Sequence, residues 1–247
     1  MTLTDLLCPS CALFLDFDGT LVDIAPQPEA VVVPARLRAT LQALHSYLDG
    51  AVAVVSGRPI SQIDSFLAPL VLPAAGVHGA ERRGADGQTV HLPIVDMQEV
   101  EVVARALAAR HPALRVETKR GSIALHYRQA PELEGLCLDA MQAAVEQTPG
   151  LTLLRGKMVA EAKPAGASKD KAIEAFLREA PFAGRTPLFV GDDITDEVGF
   201  ATVQRLGGLG VKVGEGSTTA WQRLASPEAM RLELENAVVL RGGKAIA

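Results

Sequence analysis

The first part of the chain alternates between short apolar runs and segments in which apolar residues recur every three or four positions. Mostly apolar runs at residues 12–17, 51–55 and 71–75 predict buried strands, and the helical spacing at 35–48 and 60–67 predicts two connecting helices. This βαβαβ order implies parallel strands joined by right-handed crossovers.

The pattern changes between residues 96 and 162, where each helical segment is followed by two strand-like segments. A glycine in each strand pair, Gly121 or Gly156, marks a predicted turn. An αββαββ block can form an antiparallel sheet with two helices and a small core of its own. The predicted elements of this block are a helix over 97–110, strands over 114–119 and 122–127, a helix over 132–147, and strands over 151–154 and 158–162.

Strand and helix patterns alternate again after residue 163. The expected fold class is therefore α/β: a doubly wound parallel-sheet core formed by residues 1–95 and 163–247, with a smaller α+β cap inserted at 96–162. Proline and glycine near Pro93 and at 164–166 are expected to form hinges. The elements predicted after the insertion are helix 169–178, strand 187–190, helix 196–206, strand 210–213 and helix 218–224, with no element assigned at 238–240.

Composition and charge narrow the class of protein. Of the 247 residues, 48% are apolar but only 4% are aromatic, which suits an α/β protein better than a β-sandwich. The net charge of −5 is spread without long runs, so neither nucleic acid nor an anionic membrane is an expected partner. No apolar stretch reaches the ~18 residues of a membrane span, and the first residues lack a basic signal region, so we expect a cytoplasmic protein.

The three cysteines are too few for a disulfide framework. Cys8 and Cys11 form a C-x-x-C pair, but this pair precedes the first strand instead of opening a helix after one. No second pair completes a zinc site, and Cys137 stands alone in an amphipathic segment. We expect ordinary, partly buried cysteines.

Two aspartates lie where the first predicted strand ends, in the sequence DFDGT. Side chains two residues apart in a strand point the same way at about 6.6 Å separation, so Asp16 and Asp18 are expected to project together while Phe17 turns into the core. Gly19 allows a sharp bend, and Thr20 adds a hydroxyl group. The pair therefore lies where open α/β sheets place their ligand crevice, at the carboxyl ends of the strands.

A second acidic cluster, GDDITDE, follows the strand predicted at 187–190. Because neighbouring parallel strands end at one edge of the sheet, this cluster is expected to meet Asp16. Such a concentration of negative charge calls for a cation, and Mg²⁺ suits an all-oxygen ligand set that leaves a position open for a phosphate. The carboxylates of this cluster belong to Asp192, Asp193, Asp196 and Glu197.

Two further segments offer groups that bind oxyanions. Ser56 and Gly57 follow the second strand with a hydroxyl and main-chain N–H groups, and Arg58 comes directly after them. A carboxylate that attacks phosphorus, with a neighbour that moves a proton, would complete a phosphate-transfer site. Three lysines surround a predicted helix start, whose dipole favours anions: Lys163, Lys169 and Lys171.

These motifs occur in an order that resembles a known family. DFDGT, the Ser-Gly pair, the downstream lysine and GDDxTDE resemble the haloacid-dehalogenase (HAD) type phosphatases. The cap, SGR, the HG of GVHGAE, E-x-K before S-x-A-L-H-Y-R, and E-x-K-P resemble the trehalose-6-phosphate phosphatase family within them. The resemblance spans residues 13–214 and implies a HAD-like, Rossmann-type core and a Mg²⁺-dependent phosphatase that hydrolyses trehalose 6-phosphate through a phosphoaspartate.

The resemblance also implies roles for individual residues. Asp16 is the implied nucleophile and Asp18 the general acid/base. Mg²⁺ would be bound by Asp16, the Asp18 carbonyl and Asp192, with Asp193 or Asp196 in support. The implied phosphate-binding residues are Asp16, Gly19, Ser56, Gly57 and Lys169, with Lys169 also counted as catalytic. The implied sugar-binding residues of the cap are Glu117, Lys119 and Glu161.

One position departs from the family pattern. Lys169 is followed by Asp170, where relatives usually have Lys-Gly. Lys163 is therefore the alternative candidate for the phosphate-binding lysine.

Two other functions fit parts of the same sequence. A HAD-type phosphatase for another sugar phosphate would carry the same core motifs. A receiver-like module that is phosphorylated on aspartate without turnover would share the paired acids. Receivers, however, are much shorter, have no cap and accept phosphate after the third strand, where VLPAAG offers no aspartate.

Overall fold

The computed structural model describes residues 3–93, 95–119 and 121–240. By their contacts the residues fall into two units, one formed by Met1–Val90 with Lys169–Ala247 and the other by His91–Ser168. The first unit is thus discontinuous in sequence, and the second is an insertion in it. These boundaries lie a few residues outside those expected at 95/96 and 162/163.

Strands and helices alternate through most of the described chain. The strands are β1 Cys11–Leu15, β2 Val52–Val55, β3 Ala74–Gly76, β4 Glu81–Arg83, β5 Thr89–His91, β6 Arg115–Lys119, β7 Ser122–His126, β8 Leu151–Gly156, β9 Val159–Pro164, β10 Thr186–Gly191, β11 Leu209–Val213 and β12 Gln222–Leu224. The α-helices are α1 Leu3–Leu6, α2 Leu37–Tyr47, α3 Ile60–Leu67, α4 Gln98–Arg110, α5 Glu134–Glu146, α6 Lys169–Phe176, α7 Glu197–Arg205 and α8 Pro227–Leu240.

The first unit is built on an eight-stranded sheet with the order β12-β11-β10-β1-β2-β3-β4-β5. Strands β12 to β3 pair in parallel, and β4 pairs antiparallel to β3. Every residue of β1, β2 and β11 is buried, as expected for central strands covered by helices on both faces. The chain leaves β1 towards β2 on one side and returns at β10 on the other, which creates a topological switch point beside β1.

Aromatic side chains fill the core next to β1. Phe14 packs against Phe176 and Phe182, with ring centroids 5.9 and 5.5 Å apart. Three residues after Phe14, Phe17 stacks with Phe66 of α3. These contacts fix the strand whose carboxyl end carries the first acidic motif.

The helix predicted at 218–224 is wrong. Its last three residues form β12, which pairs with β11 from Val211↔Gln222 to Val213↔Leu224. The preceding residues are held by side chains of α7: Gln204 accepts the Trp221 N–H and donates to the Thr219 carbonyl. Their main-chain groups are therefore engaged outside a helical ladder, and the edge of the sheet accepts the remaining residues.

Three elements of the structure were not predicted from the sequence. The helix α8, Pro227–Leu240, buries Met230 and Leu234 and continues through the positions at 238–240 that received no assignment. The short hairpin of β4 and β5 was not predicted, nor was the short helix α1. The sequence signal for α8 was present, since its buried residues recur at helical spacing.

The second unit has an antiparallel sheet with the order β6-β7-β9-β8. Helices α4 and α5 pack against each other and supply much of a separate apolar core. The predicted turn at Gly156 is misplaced by one to two residues: Gly156 pairs with Val159 in the ladder, and the turn is formed by Lys157 and Met158, the latter at φ +64°. The α/β core with an inserted α+β cap agrees with the predicted fold class.

All three cysteines are free thiols; Cys11 and Cys137 are buried, and the Sγ atoms of Cys8 and Cys11 lie 3.0 Å apart. Within the described ranges, no helix has both the length and the apolar character needed to cross a bilayer. The cytoplasmic location expected from the sequence stays a prediction.

Candidate active site

Asp16 is the first residue after β1, the central strand of the sheet. Its N–H donates to the Val190 carbonyl at 2.9 Å, which continues the ladder between β1 and β10 by one residue. The residue is 4% exposed, and its carboxylate therefore lies in a low-dielectric environment. The parallel pairing of Leu15 with Val190 brings the residues that follow both strands to the same edge.

The second acidic cluster supplies two more carboxylates at this edge. Asp192 follows β10, and Asp196 turns back towards it because its Oδ2 accepts the N–H groups of Asp192 and Asp193 at 3.0 and 2.9 Å. One carboxylate oxygen from each of Asp16, Asp192 and Asp196 lies within 4.8 Å of the other two. These three residues form the acidic group. The side chain of Asp193 is used differently, since it accepts the Ile194 N–H at the start of the following helical turn.

Gly19 allows the chain to pass close to this acidic group. Its φ is +78°, a left-handed conformation that glycine adopts without strain, and its N–H donates to the Val22 carbonyl at 2.8 Å. A Cβ at this position would lie 2.1 Å from Asp192 Oδ2. The glycine of DFDGT is therefore required both by the backbone conformation and by the carboxylate beside it.

Lys169 joins the acidic group at the first residue of α6. Its Nζ lies 2.6 Å from Asp16 Oδ1 and 2.6 Å from Asp196 Oδ1, and the residue is 3% exposed. The structure thus brings Lys169 to the carboxylates despite the neighbouring Asp170, whereas Lys163 belongs to the second unit and donates to the Ala167 carbonyl.

The group contains more negative than positive charge. Burial raises the pKa of Asp16 well above its usual range, and the charges of Asp196 and Asp192 raise it further, against the opposing effect of Lys169. Burial and the charge of Asp196 raise the pKa of Asp192 to about 7. Burial alone would lower the pKa of Lys169, but the two carboxylates outweigh it and raise that pKa. A single ammonium does not neutralise three carboxylates, so the group suits an added cation.

Asp18 follows Asp16 by two residues and has a partner that was not predicted. Its carboxylate accepts two hydrogen bonds from Arg58, from Nε to Oδ2 at 2.6 Å and from Nη2 to Oδ1 at 2.7 Å. The sequence indicates Arg58 only as a neighbour of the oxyanion-binding Ser-Gly pair. Forty residues separate the two in sequence, and no local signal in either segment specifies the pair.

The Ser-Gly pair follows β2, the strand next to β1. Ser56 is 1% exposed, and its Oγ accepts the Arg58 N–H at 3.2 Å. A Cβ on Gly57 would lie 2.7 Å from ring atoms of His78, so the glycine permits a close approach of that ring. Thr20, two residues after Asp18, is fully buried. Its hydroxyl has no hydrogen-bond partner among the described residues.

In the second unit, the three cap residues lie on one face of the antiparallel sheet. Glu117 pairs with Ala124, which in turn pairs with Glu161, so the two carboxylates flank a small buried residue. Lys119 Nζ lies 3.5 Å from Glu161 Oε1 and 3.8 Å from Glu117 Oε2. Strand register therefore brings Glu117, Lys119 and Glu161 into one cluster.

Two neighbours of this cluster were not identified as site residues from the sequence. The Ser122 hydroxyl donates to Glu161 Oε1 at 2.6 Å, and His126 Nε2 lies 2.9 Å from Glu117 Oε2. Both belong to β7 and alternate with residues buried in the core. The alternation at 122–127 therefore indicated that Ser122 and His126 share one face of the strand. In the first unit, Lys212 was also missed; its Nζ donates to the Asp192 carbonyl.

The parallel core, the carboxylate group at its strand ends and the inserted α+β unit together have a HAD-like fold. A solved phosphatase of the haloalkanoate (HAD) enzyme superfamily from Bacteroides thetaiotaomicron superposes with a TM-score of 0.60 at 17% identity, covering 93% of this chain and 94% of that one. The C-terminal domain of trehalose-6-phosphate phosphatase from C. albicans superposes with a TM-score of 0.81 at 21% identity, covering 95% and 92%. These likenesses show the fold.

Sequence similarity gives the family. The trehalose-phosphatase family model matches residues 14–228. The chain is 47% identical over 227 residues to trehalose-6-phosphate phosphatase of Escherichia coli (strain K12), covering 91% of this chain and 85% of that protein. The chain belongs to the trehalose-phosphatase family and is a phosphoric monoester hydrolase, which confirms the resemblance found in its motifs.

Proposed function

We propose that this protein is a Mg²⁺-dependent phosphatase that converts trehalose 6-phosphate to trehalose and inorganic phosphate. The observation that carries this proposal is the gathering of Asp16, Asp192, Asp196 and Lys169 at adjoining strand ends, in a chain of the trehalose-phosphatase family. A small sugar phosphate is the proposed substrate, with no part for nucleic acid or a membrane.

The donor set of the acidic group fits Mg²⁺. Carboxylate oxygens of Asp16 and Asp192 and the main-chain carbonyl of Asp18 are hard ligands, and Asp196 adds a third carboxylate to the same group. The neighbouring carboxylates repel one another, which contributes to the raised pKa values of Asp16 and Asp192. A bound cation would relieve this repulsion. When bound, the ion would withdraw negative charge from the phosphoryl oxygens.

The reaction proceeds in two displacements on phosphorus. In the first, an Asp16 carboxylate oxygen attacks phosphorus, the bond from phosphorus to the sugar oxygen breaks, and Asp18 gives that oxygen a proton. In the second, water attacks the phosphoaspartate, Asp18 takes a proton from the water, and phosphate leaves with the Asp16 carboxylate restored. Lys169 offsets the charge next to Asp16, and the Ser56 hydroxyl and Gly57 N–H bind phosphoryl oxygens.

The carboxylates of Glu117 and Glu161 and the ammonium of Lys119 recognise the sugar. Carboxylates accept hydrogen bonds from sugar hydroxyls, and an ammonium donates to them, so a mixed cluster suits a ligand that carries many hydroxyl groups. The hydrogen bonds from Ser122 and His126 hold the two carboxylates in place. The cluster would then determine which phosphate ester is preferred.

Phosphate release from trehalose 6-phosphate, with and without Mg²⁺, tests the proposal. We expect turnover that requires the metal and is abolished by Asp16→Asn, while Asp23→Asn, which changes an exposed aspartate outside the acidic group, keeps it. Absence of turnover with Mg²⁺ present would overturn the proposal. Accumulation of a stable phosphoaspartate without phosphate release would favour the receiver-like alternative.

A panel of sugar phosphates tests the substrate. Faster turnover of glucose 6-phosphate or mannose 6-phosphate than of trehalose 6-phosphate would favour a phosphatase for another sugar phosphate. With the proposed substrate, Glu117→Gln and Glu161→Gln should raise KM for trehalose 6-phosphate about tenfold or more, the range expected for one lost charge-assisted hydrogen bond. Turnover of p-nitrophenyl phosphate, which has no sugar, should change little in the same variants.

A further inference from the structure

The carboxylate of Asp18 is held by one arginine through both of its oxygens. Arg58 Nε and Nη2 lie 2.6 and 2.7 Å from Asp18 Oδ2 and Oδ1, the side-on bidentate geometry that fixes a carboxylate plane as well as its position. The Asp18 side chain is 34% exposed and belongs to the bend after β1, whereas the Arg58 side chain is 9% exposed. The arginine is thus the more rigidly held partner.

Several contacts fix the guanidinium of Arg58. Its carbon lies 4.9 Å from the centroid of the Phe66 ring and 5.9 Å from that of Phe17. Its Nη1 donates to Gln62 Oε1 at 3.1 Å. Helix α3 supplies Phe66 and Gln62, and a guanidinium stacked on aromatic rings and bonded on two edges keeps one orientation.

We infer that Arg58 is a positioning residue for Asp18 and fixes the carboxylate along the direction in which protons move to and from the reacting oxygens. This inference rests on the proposed function, in which Asp18 protonates the leaving sugar oxygen and later takes a proton from water. Both transfers need a donor and an acceptor within hydrogen-bond distance in a fixed direction. A carboxylate on a bend would otherwise sample several rotamers, and misplacement by about 1 Å costs a reaction on the order of 10²-fold.

Another bidentate arginine–aspartate pair in the same unit provides a matched control. Arg83 donates to Asp64 through Nη1 and Nη2, both at 2.7 Å, and these side chains are 13% and 34% exposed, close to the values for Arg58 and Asp18. Arg83→Gln therefore removes a comparable ion pair, together with a hydrogen bond to the Leu72 carbonyl, without touching the acidic group. Any general effect on stability should be similar in Arg58→Gln and Arg83→Gln.

Steady-state kinetics provide the first measurement. With trehalose 6-phosphate, Arg58→Gln should lower kcat by about 10- to 100-fold and change KM by less than about threefold, since the substrate is still bound but its protons move slowly. Arg58→Lys, which keeps the charge but not the bidentate geometry, should recover only part of this loss. Arg83→Gln should keep kcat close to that of the parent protein.

A substrate with an activated leaving group separates positioning from other roles. The p-nitrophenolate ion leaves without a proton, so transfer of phosphate to Asp16 should stay fast in Arg58→Gln while hydrolysis of the phosphoaspartate becomes slow. We expect a burst of one p-nitrophenolate per active site followed by slow turnover. A burst as slow as the steady state would mean that Arg58 binds the phosphate or supports the fold, and would overturn the inference.

A double-mutant cycle with Asp18→Asn gives a second criterion. If Arg58 acts through Asp18, Arg58→Gln should lower kcat by less than about twofold in the Asp18→Asn background. Full additivity of the two losses would overturn the inference. The outcome is separate from the choice of substrate: failure with trehalose 6-phosphate but turnover of p-nitrophenyl phosphate rejects the proposed substrate and leaves the Arg58 tests intact. No phosphatase activity at all would reject both.

Discussion

Lys169 Nζ lies 2.6 Å from Asp16 Oδ1, so a buried ammonium touches the carboxylate that follows the central strand. The same nitrogen lies 2.6 Å from Asp196 Oδ1, which links the end of β1, the start of α6 and the segment after β10 through one atom. Such a link has two consequences that experiments can separate, one for the chemistry and one for stability.

Replacement of Lys169 tests both consequences. Lys169→Met should reduce phosphate release by about 10²- to 10³-fold, the loss expected when one preorganised charge is removed from an active site. The metal-free variant should also melt at a lower temperature, because removal of one partner leaves buried carboxylates without their cation. Enzyme assays and thermal unfolding with a chelator measure the two effects.

Lys171→Met is the control for this prediction. Lys171 lies on the same helix two residues further on and is exposed. It should retain activity and melting temperature close to those of the parent protein. Equal losses in the two variants would show that the charge of α6, and not the contact with Asp16, is what matters.

Gly19 offers a test of close packing at the acidic group. Gly19→Ala should lower kcat more than tenfold, since the new Cβ would occupy space 2.1 Å from Asp192 Oδ2 and displace that carboxylate. Gly87 has nearly the same φ, +79° against +78°, but nothing lies within 4 Å of its Cβ direction. Gly87→Ala should therefore lose only about 1–2 kcal/mol of stability from backbone strain and keep its kcat.

Chemical denaturation and activity assays on both variants decide the matter. Equal activity in Gly19→Ala and Gly87→Ala would mean that the site tolerates movement of Asp192. A selective loss in Gly19→Ala would show that the bend after Asp18 and the position of Asp192 depend on each other.

The acidic group could be predicted because strand topology determines it. Asp16 and Asp192 each follow an apolar strand, and neighbouring parallel strands end at one edge, so a local pattern was enough to bring distant residues together. Lys169 was predicted from a helix start and a family resemblance, although Asp170 follows it. In the second unit, the register Glu117↔Ala124↔Glu161 explains why residues on separate strands form one cluster.

Side-chain pairing across loops could not be predicted in the same way. The contact of Arg58 with Asp18 depends on the orientation of two bends, and the apolar patterns of their strands do not specify that orientation. The segment at 218–224 shows a related difficulty, because side chains of α7 engage its main chain and the sheet edge recruits Gln222–Leu224. Tertiary contacts override local helical spacing in such short edge segments.

Metal binding can be measured without turnover. Mg²⁺ should raise the melting temperature of the parent protein, because a ligand that binds only the folded state at about 100 times its Kd adds about 2.7 kcal/mol of stability. Asp192→Asn should reduce this increase strongly, since it removes one carboxylate of the acidic group. Asp193→Asn is the matched control, because its side chain accepts the Ile194 N–H and lies outside the group of three.

Thermal unfolding with and without Mg²⁺ in the three proteins distinguishes the outcomes. An equal Mg²⁺ effect in Asp192→Asn and Asp193→Asn would indicate binding to surface acids in general. No effect in the parent protein at millimolar Mg²⁺ would contradict the assignment of the acidic group as a metal site.

Glu117 allows a prediction for the stability of the second unit as pH changes. Burial raises the pKa of this carboxyl, but the hydrogen bond with His126 and the charge of Lys119 outweigh burial and hold the pKa below its usual value. A carboxyl with a lowered pKa in the folded state stabilises the protein above its unfolded pKa of about 4.3, and this contribution is lost as pH falls through the folded pKa.

Glu117→Gln should therefore melt below the parent protein at neutral pH, and the difference should shrink as pH falls below about 4. The exposed Glu132, in the same unit, gives a control: Glu132→Gln should melt close to the parent protein at neutral pH. Thermal unfolding of the three proteins from neutral to acidic pH provides the measurement. A Glu117→Gln difference that stays constant across this range would mean that packing of the side chain, and not its hydrogen bond with His126 or its ion pair with Lys119, accounts for its effect.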